Sequence, residues 1–287
     1  MGGPKKYSLA ELEVKADEIR IDIIKMLEAA GSGHSAGPLG LADIFTALYF
    51  EVLKHDHNNP DWPERDLLIL SNGHCVPVRY ATMAHAGYFP RKELMTLRKL
   101  GSRLQGHPER LRLPGLETTS GPLGSGLSQA VGMALGLRTD KANQRYVYVV
   151  MSDGELDEGN SWEGIMLAAK YKLANLTAIV DRNNIQIDGP TEVVMPLENL
   201  KAKWEAFGWH VLEIDGNNIT AVIDACNEAK AIVEKPVVII AHTIPGKGVD
   251  FMEKDYHWHG VPPDHKQAMK ALHELRTLKG KIESEHE

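Results

Sequence analysis

The stretch that most constrains this chain runs from Tyr146 to Asn184. Tyr146-Val147-Tyr148-Val149-Val150 is an unbroken β-type run that stops in the acidic turn Ser152-Asp153-Gly154-Glu155 and resumes as a helix. A second apolar run, Leu176 to Val180, then ends in Asp181-Arg182-Asn183-Asn184. Two strands joined through a helix pair in parallel, so both end on the same side of the sheet. Asp153 and Asn183, thirty residues apart, therefore meet just beyond two strand ends. Ligands of open α/β sheets bind at that edge. A hard carboxylate, an amide oxygen and nearby carbonyls suit Mg²⁺ or Ca²⁺, and Mg²⁺ usually shares its shell with phosphate oxygens. Gly154 leaves room for an anion to approach the backbone, and the helix N-terminus beyond favours phosphate.

The rest of the chain fits the same architecture. Ser8 with Glu11 forms a capping-box pattern, and Leu9, Leu12, Ile19, Ile23 and Leu27 recur at helical spacing up to Gly31. A second helix is expected over 41–53, a charged linker over 54–66 and a buried strand over 67–70. Helices are expected over 127–138, 200–207 and 219–233, and strands over 210–214 and 236–241. Alternating apolar strands and amphipathic helices indicate one α/β domain over 1–287, doubly wound around a mainly parallel sheet with helices on both faces. Ala130, Gly132, Ala134 and Gly136 allow close packing of their helix, against the interior or another subunit.

Composition removes several classes. With 287 residues, 43% hydrophobic and 25% charged, the chain reads as a globular protein that can bury a large core. A net charge of -7, with basic clusters only at Lys5-Lys6 and Arg110 to Arg112, argues against a nucleic-acid footprint. Neither a signal-peptide core nor a membrane-length apolar run is visible, and no membrane partner is expected. Cys75 and Cys226 offer no disulfide framework, and a reducing, cytoplasmic address follows.

Histidines cluster in loops. Gly31-Ser32-Gly33-His34-Ser35 surrounds one imidazole with small residues, and Ser71-Asn72-Gly73-His74 follows the strand at 67–70. Residues 88–126 are irregular and rich in Gly and Pro, as functional loops are, yet carry apolar Leu111, Leu113, Leu116 and Leu123. They include Gly106-His107-Pro108-Glu109 and Ser120-Gly121-Pro122-Leu123-Gly124-Ser125-Gly126. His257-Trp258-His259-Gly260 follows the last strand, again on the ligand edge. A dinucleotide fingerprint fails on the glycine loop, because no convincing strand precedes it and Gln129 occupies the third glycine position. The tail from Asp264 reads as a polar helix, exposed at its end.

Asp-Gly, thirty residues and Asn-Asn resembles the thiamine diphosphate motif, with Ser152 in place of its first glycine. Asp153-Gly154-Glu155-Leu156-Asp157-Glu158-Gly159, with Trp162-Glu163 and the Gly-His-Pro-Glu loop, resembles the transketolase family. The resemblance implies the diphosphate-binding (PP-type) fold. It implies Mg²⁺, or Ca²⁺, on Asp153, Asn183 and the Ile185 carbonyl, with Gly154 beside the diphosphate. Gly121, Pro122 and Leu123 would hold the cofactor through their backbone, and His74 and His259 would also lie against it. His34, His74, His107 and His259 would bind substrate oxygens and assist proton transfer, and Glu158 would join a network between subunits. The chain corresponds to the first half of a full-length transketolase. An N-terminal subunit of a split enzyme is therefore expected, active on sugar phosphates only with a C-terminal subunit carrying the pyrimidine-binding domain and its activating glutamate. The expected assembly is an α2β2 heterotetramer. A non-catalytic cofactor-binding module, or a related enzyme on other substrates, are the alternatives.

Overall fold

A computed structural model of the chain describes residues 7–139 and 145–284, with side chains described up to residue 277. Lys5-Lys6 and the exposed end of the tail lie outside the described residues and side chains. Five strands carry the structure: β1 (Leu67–Leu70), β2 (Val147–Ser152), β3 (Leu176–Arg182) and, after a two-residue ladder of β4 (Ile185–Gln186) with β5 (Gly189–Pro190), β6 (His210–Asp215) and β7 (Val237–His242). Their order is β1-β2-β3-β7-β6, and every pairing in this sheet is parallel.

Side chains alternate between the two faces, and each face has its own core. Leu68, Leu70, Tyr148, Val150, Ile179 and Ile239 pack against α1 (Leu9–Ala30), α3 (Ala42–Ala47), α4 (Val76–His85), α9 (Ile219–Ala231) and α10 (His265–Ser284). Ile69, Val149, Met151, Val180 and Ile240 pack against α5 (Ser125–Thr139), α6 (Gly159–Lys170) and α8 (Leu200–Ala206). Short helices α2 (Ala36–Gly40) and α7 (Thr191–Val194) sit near the ligand edge. All six residues of β2 and all seven of β3 are buried, so the motif strands lie in the middle of the molecule. Each fully buried aliphatic there contributes roughly 1.5–3 kcal/mol relative to exposure.

The local signals hold closely. Glu11 N–H donates to Ser8 Oγ at 3.3 Å, Ser8 N–H donates to Glu11 Oε2 at 2.8 Å, and Gly31 ends α1 at φ 62°. The helix expected over 41–53 differs: it is α3 continued by a π-helical turn at Leu48–Val52, with the short α2 just ahead of it. On α5, Ala130 and Ala134 are buried in the core while Gly132 and Gly136 are exposed, with open space where a Cβ would stand.

The irregular segment before α5 contains one 3-10 turn, Arg91–Thr96, and is tied down by buried charge. Glu117 accepts from Arg65 Nη1 at 2.5 Å and from Arg79 Nη2 at 2.6 Å, and Leu113 and Leu116 are buried beneath it. Leu111, apolar in sequence, is exposed instead. This anchoring leads the chain to Gly121 at the edge of the sheet.

Candidate active site

The register of the sheet assembles the site. Ser152 pairs with Asp181 and Arg182 with His242, so the chains leaving β2, β3 and β7 emerge at one edge beside the end of β1. A cavity of about 350 Å³ opens there. Its walls include His34, His74, His107 and His259, with Gly121, Leu123, Ser152, Gly154 and Ile185 between them and Gln186, Ile187 and Asp188 at the side. A larger open depression between Arg138, Tyr171 and Lys235 lies at the opposite, N-terminal end of the strands and gathers none of the motif residues.

Four loops far apart in sequence bring the imidazoles together. Ring centroids are 4.9 Å apart for His34 and His74, 5.2 Å for His74 and His259, and 5.6 Å for His34 and His259. Burial lowers the pKa of all four, because a charged imidazolium loses water there. His34 falls to about 4, through burial first and then the like charges of His259, Arg98 and His107. All four rings are therefore neutral near pH 7, each with one donor and one acceptor nitrogen. Nδ1 of His34 and Nδ1 of His259 are buried without a protein partner.

Asp153 and Asn183 lie beneath the cavity, 0% and 6% exposed. Asp153 Oδ2 accepts from Arg182 Nη1 (3.0 Å), Asn184 N–H (2.8 Å) and Thr191 Oγ1 (3.2 Å), whereas Oδ1 accepts only from Gly154 N–H (2.7 Å). Lone-pair capacity therefore remains on Oδ1. Burial raises the Asp153 carboxyl, opposed by Arg182 and the backbone N–H groups; burial works to lower Arg182, but its acidic partners Glu192, Glu198 and Asp153 raise it overall. Asn183 Nδ2 donates to Asp181 Oδ2 at 2.9 Å, and its Oδ1 accepts from Ile185 N–H at 3.0 Å. Asp181, itself held by Thr243 Oγ1, thus fixes which end of the amide faces the site. Burial pushes the Asp181 carboxyl up to about 7.

These donors fit a magnesium diphosphate. One carboxylate oxygen and one oriented amide oxygen are too few for an all-protein cage. Among the described residues no group of three or more His, Cys, Asp or Glu could hold a metal alone. Such a partial shell suits Mg²⁺ that takes its other ligands from phosphate and water. A Cβ on Gly154 would meet the Gln186 side chain at 2.9–3.2 Å, so this position is already crowded.

Glu155 organises the cradle, and its role was hidden in the sequence. It is 0% exposed, and its Oε1 accepts from Ser71 Oγ and from Gly124 N–H at 2.5 Å, its Oε2 from Ser152 N–H at 3.2 Å. Ser71 Oγ accepts in turn from Gly126 N–H at 3.1 Å. One carboxylate thus joins the ends of β1 and β2 to the glycine loop. Arg182 also escaped sequence reasoning, although a charge ending an unbroken apolar strand was the available signal. Glu158 and Pro122 are exposed and do not line the cavity; Glu158 stands at the start of α6 without a capping bond.

Residues 12–278 match the profile described as the thiamine diphosphate binding domain of transketolase. The chain belongs to the transketolase family. It is 44% identical over 243 residues to the 6-deoxy-6-sulfo-D-fructose transketolase subunit of Clostridium sp. (strain MSTE9), covering 85% of this chain and 88% of the relative. An apulose-4-phosphate transketolase subunit of Phocaeicola vulgatus is 39% identical, over 96% of this chain and 97% of that one. Human transketolase is 37% identical over 95% of this chain, which spans 43% of its length. Among solved transketolases, that of Campylobacter jejuni superposes with a TM-score of 0.88 at 34% identity, covering 94% of this chain and 43% of the other. The chain thus matches subunit-length relatives almost end to end, and less than half of the long transketolases.

Proposed function

We propose that this chain is the N-terminal subunit of a two-chain transketolase, a single diphosphate-binding domain that transfers a two-carbon ketol unit between sugar phosphates with a separate partner chain. The observation that carries the reading is the cavity: four neutral histidines over the Asp153–Asn183 floor, on a chain as long as relatives named transketolase subunits. Thiamine diphosphate, when bound, supplies the nucleophilic carbon and electron sink for C–C cleavage. Asp153 Oδ1, Asn183 Oδ1 and the Ile185 carbonyl would bind Mg²⁺ between protein and diphosphate, with Gly154 giving the diphosphate access. Gly121, Pro122 and Leu123 would hold the rest of the cofactor.

The histidines do the protein's share of the chemistry. A neutral imidazole can donate to a substrate carbonyl or accept a hydroxyl proton, and four of them can hand a proton along the substrate. Leu123 and Ile187 supply apolar lining beside the histidines. The partner would supply the pyrimidine-binding domain, the activating glutamate and further substrate contacts, in an α2β2 assembly in which Glu158 reaches between subunits. Among the described residues no helix is long and apolar enough to cross a membrane, and the buried free thiols Cys75 and Cys226 support a cytoplasmic address.

The test is ketol transfer from xylulose 5-phosphate to ribose 5-phosphate with thiamine diphosphate and Mg²⁺, on this chain alone and with its partner. Activity only in the mixture is expected. Activity of the chain alone would refute the split site, and inactivity of both with cofactor bound would favour a binding module.

A further inference from the structure

Arg98 lies outside every strand-end motif, yet its charge reaches the histidines. Its backbone sits at φ 59°, a left-handed conformation that is strained for a residue other than glycine. It is the third residue of a tight turn closed by Lys99 N–H donating to Thr96 O at 3.0 Å, and Arg98 N–H donates to Leu104 O at 2.9 Å. The turn sends the guanidinium across Gly33 and Gly106, the chain neighbours of His34 and His107. A Cβ on Gly106 would stand 2.7 Å from Arg98 Cζ and 2.8 Å from Nε, and one on Gly33 would stand 3.7 Å from Nε. Glycine at 106 is what admits the side chain.

The guanidinium is not neutralised. Its one hydrogen bond is a long 3.5 Å contact from Nη2 to Gly106 O, and among the described residues no carboxylate pairs with it. Arg20, Arg79, Arg103 and Arg182 each pair with an Asp or Glu. An exposed, unpaired fork thus stands beside the loops that carry His34 and His107, and its positive charge is felt by both rings. It matches a tetrahedral oxyanion, which a planar guanidinium can bind through two N–H groups.

We propose that Arg98 binds the terminal oxyanion, phosphate or sulfonate, of the sugar that enters the histidine cavity. The proposal rests on the ketol-transfer reading and deepens it: part of the recognition of substrate charge lies on this chain and not on the partner. Two relatives are named for sugars that carry such groups, one sulfonated and one phosphorylated.

The experiment compares wild type, Arg98→Gln and Arg98→Lys in the complete two-chain enzyme, with fructose 6-phosphate, 6-deoxy-6-sulfofructose and fructose as donors. Arg98→Gln should raise KM for the anionic donors by about 10- to 100-fold, the loss of a charge-assisted contact. Its kcat and its KM for fructose should stay within about twofold of wild type, and Arg98→Lys should recover part of the loss. The larger loss identifies which oxyanion the site prefers. Equal effects on fructose and its charged analogues would show a structural role for the turn and overturn the proposal, as would no effect on any donor. If the wild-type complex transfers no ketol unit, the functional reading fails, and the anion site is judged on this chain by binding. Inorganic phosphate and methanesulfonate are then titrated against the imidazole resonances of His34 and His107. Saturable shifts in wild type that vanish in Arg98→Gln support the site; identical titrations overturn it.

Discussion

Replacing Glu155 with glutamine isolates the carboxylate that ties the cradle together. Two donors face Oε1, Ser71 Oγ and Gly124 N–H, and Ser152 N–H faces Oε2. Glutamine can keep its carbonyl toward the first pair only by turning its NH₂ against Ser152 N–H. That leaves a buried donor unsatisfied, which costs roughly 1–3 kcal/mol, and the two remaining bonds lose their charge assistance. Part of this is offset because a neutral amide escapes the desolvation that raises the Glu155 carboxyl above its ordinary value. The expected net loss is about 2 kcal/mol. With a urea m-value of about 2 kcal/mol/M, the unfolding midpoint should fall by roughly 1 M with m unchanged. Because these bonds position Gly121 to Leu123, calorimetry should also show about tenfold weaker thiamine diphosphate binding, equivalent to roughly 1.4 kcal/mol. A Glu155→Gln protein with wild-type midpoint and cofactor affinity would refute the claim that this carboxylate holds the loop.

Other perturbations separate the remaining parts. Since His34 is lowered from 6.5 to about 4, the unfolded chain takes up its proton first as pH falls. The stability His34 contributes above pH 6.5 is therefore lost as pH drops toward about 4, by up to roughly 3 kcal/mol. A pH series of urea midpoints should show a shallower acid loss in His34→Gln, and parallel curves would contradict the assignment. Arg182→Ala strips the cation from Asp153, which is fully buried, and should destabilise by about 3–5 kcal/mol; thermal unfolding that matches wild type would mean the pair carries no weight. Gly154→Ala forces aside the Gln186 side chain, which is held by its bond to Asp157, so a slightly lowered melting temperature together with loss of diphosphate binding by calorimetry is expected. Gly124→Ala should fail differently, because φ is 80° and its Cβ would overlap Asn160 Oδ1; reduced thermal stability is the readout.

The two-residue logic of the motif was readable because strand ends in a parallel sheet are set by chain direction. Leu67–Leu70, Val147–Ser152 and Val237–His242 all appear as β-type runs, and each delivers a polar loop to one edge. The capping pattern at Ser8 and the stop at Gly31 were equally visible, since both act within a few residues. Boundaries around Leu41 to Leu53 were not, because the π-helical turn reflects packing of α3 against its neighbours more than local preference.

What the sequence determined, then, was the fold class, the Asp153–Asn183 pairing across β2 and β3, and the loops that carry His34, His74, His107 and His259. Those follow from periodicity, glycine placement and the direction of parallel strands, which are local properties. Only the tertiary structure decided that Glu155 is a buried tie across three loops, that Arg182 backs the Asp153 carboxylate, and that Asp181 turns the Asn183 amide. Only it showed that the Arg98 guanidinium lies against Gly33 and Gly106, the neighbours of His34 and His107, while Glu158 does not line the cavity. Burial and long-range hydrogen bonding choose a charged side chain's partner, and neither is encoded in the spacing of its neighbours.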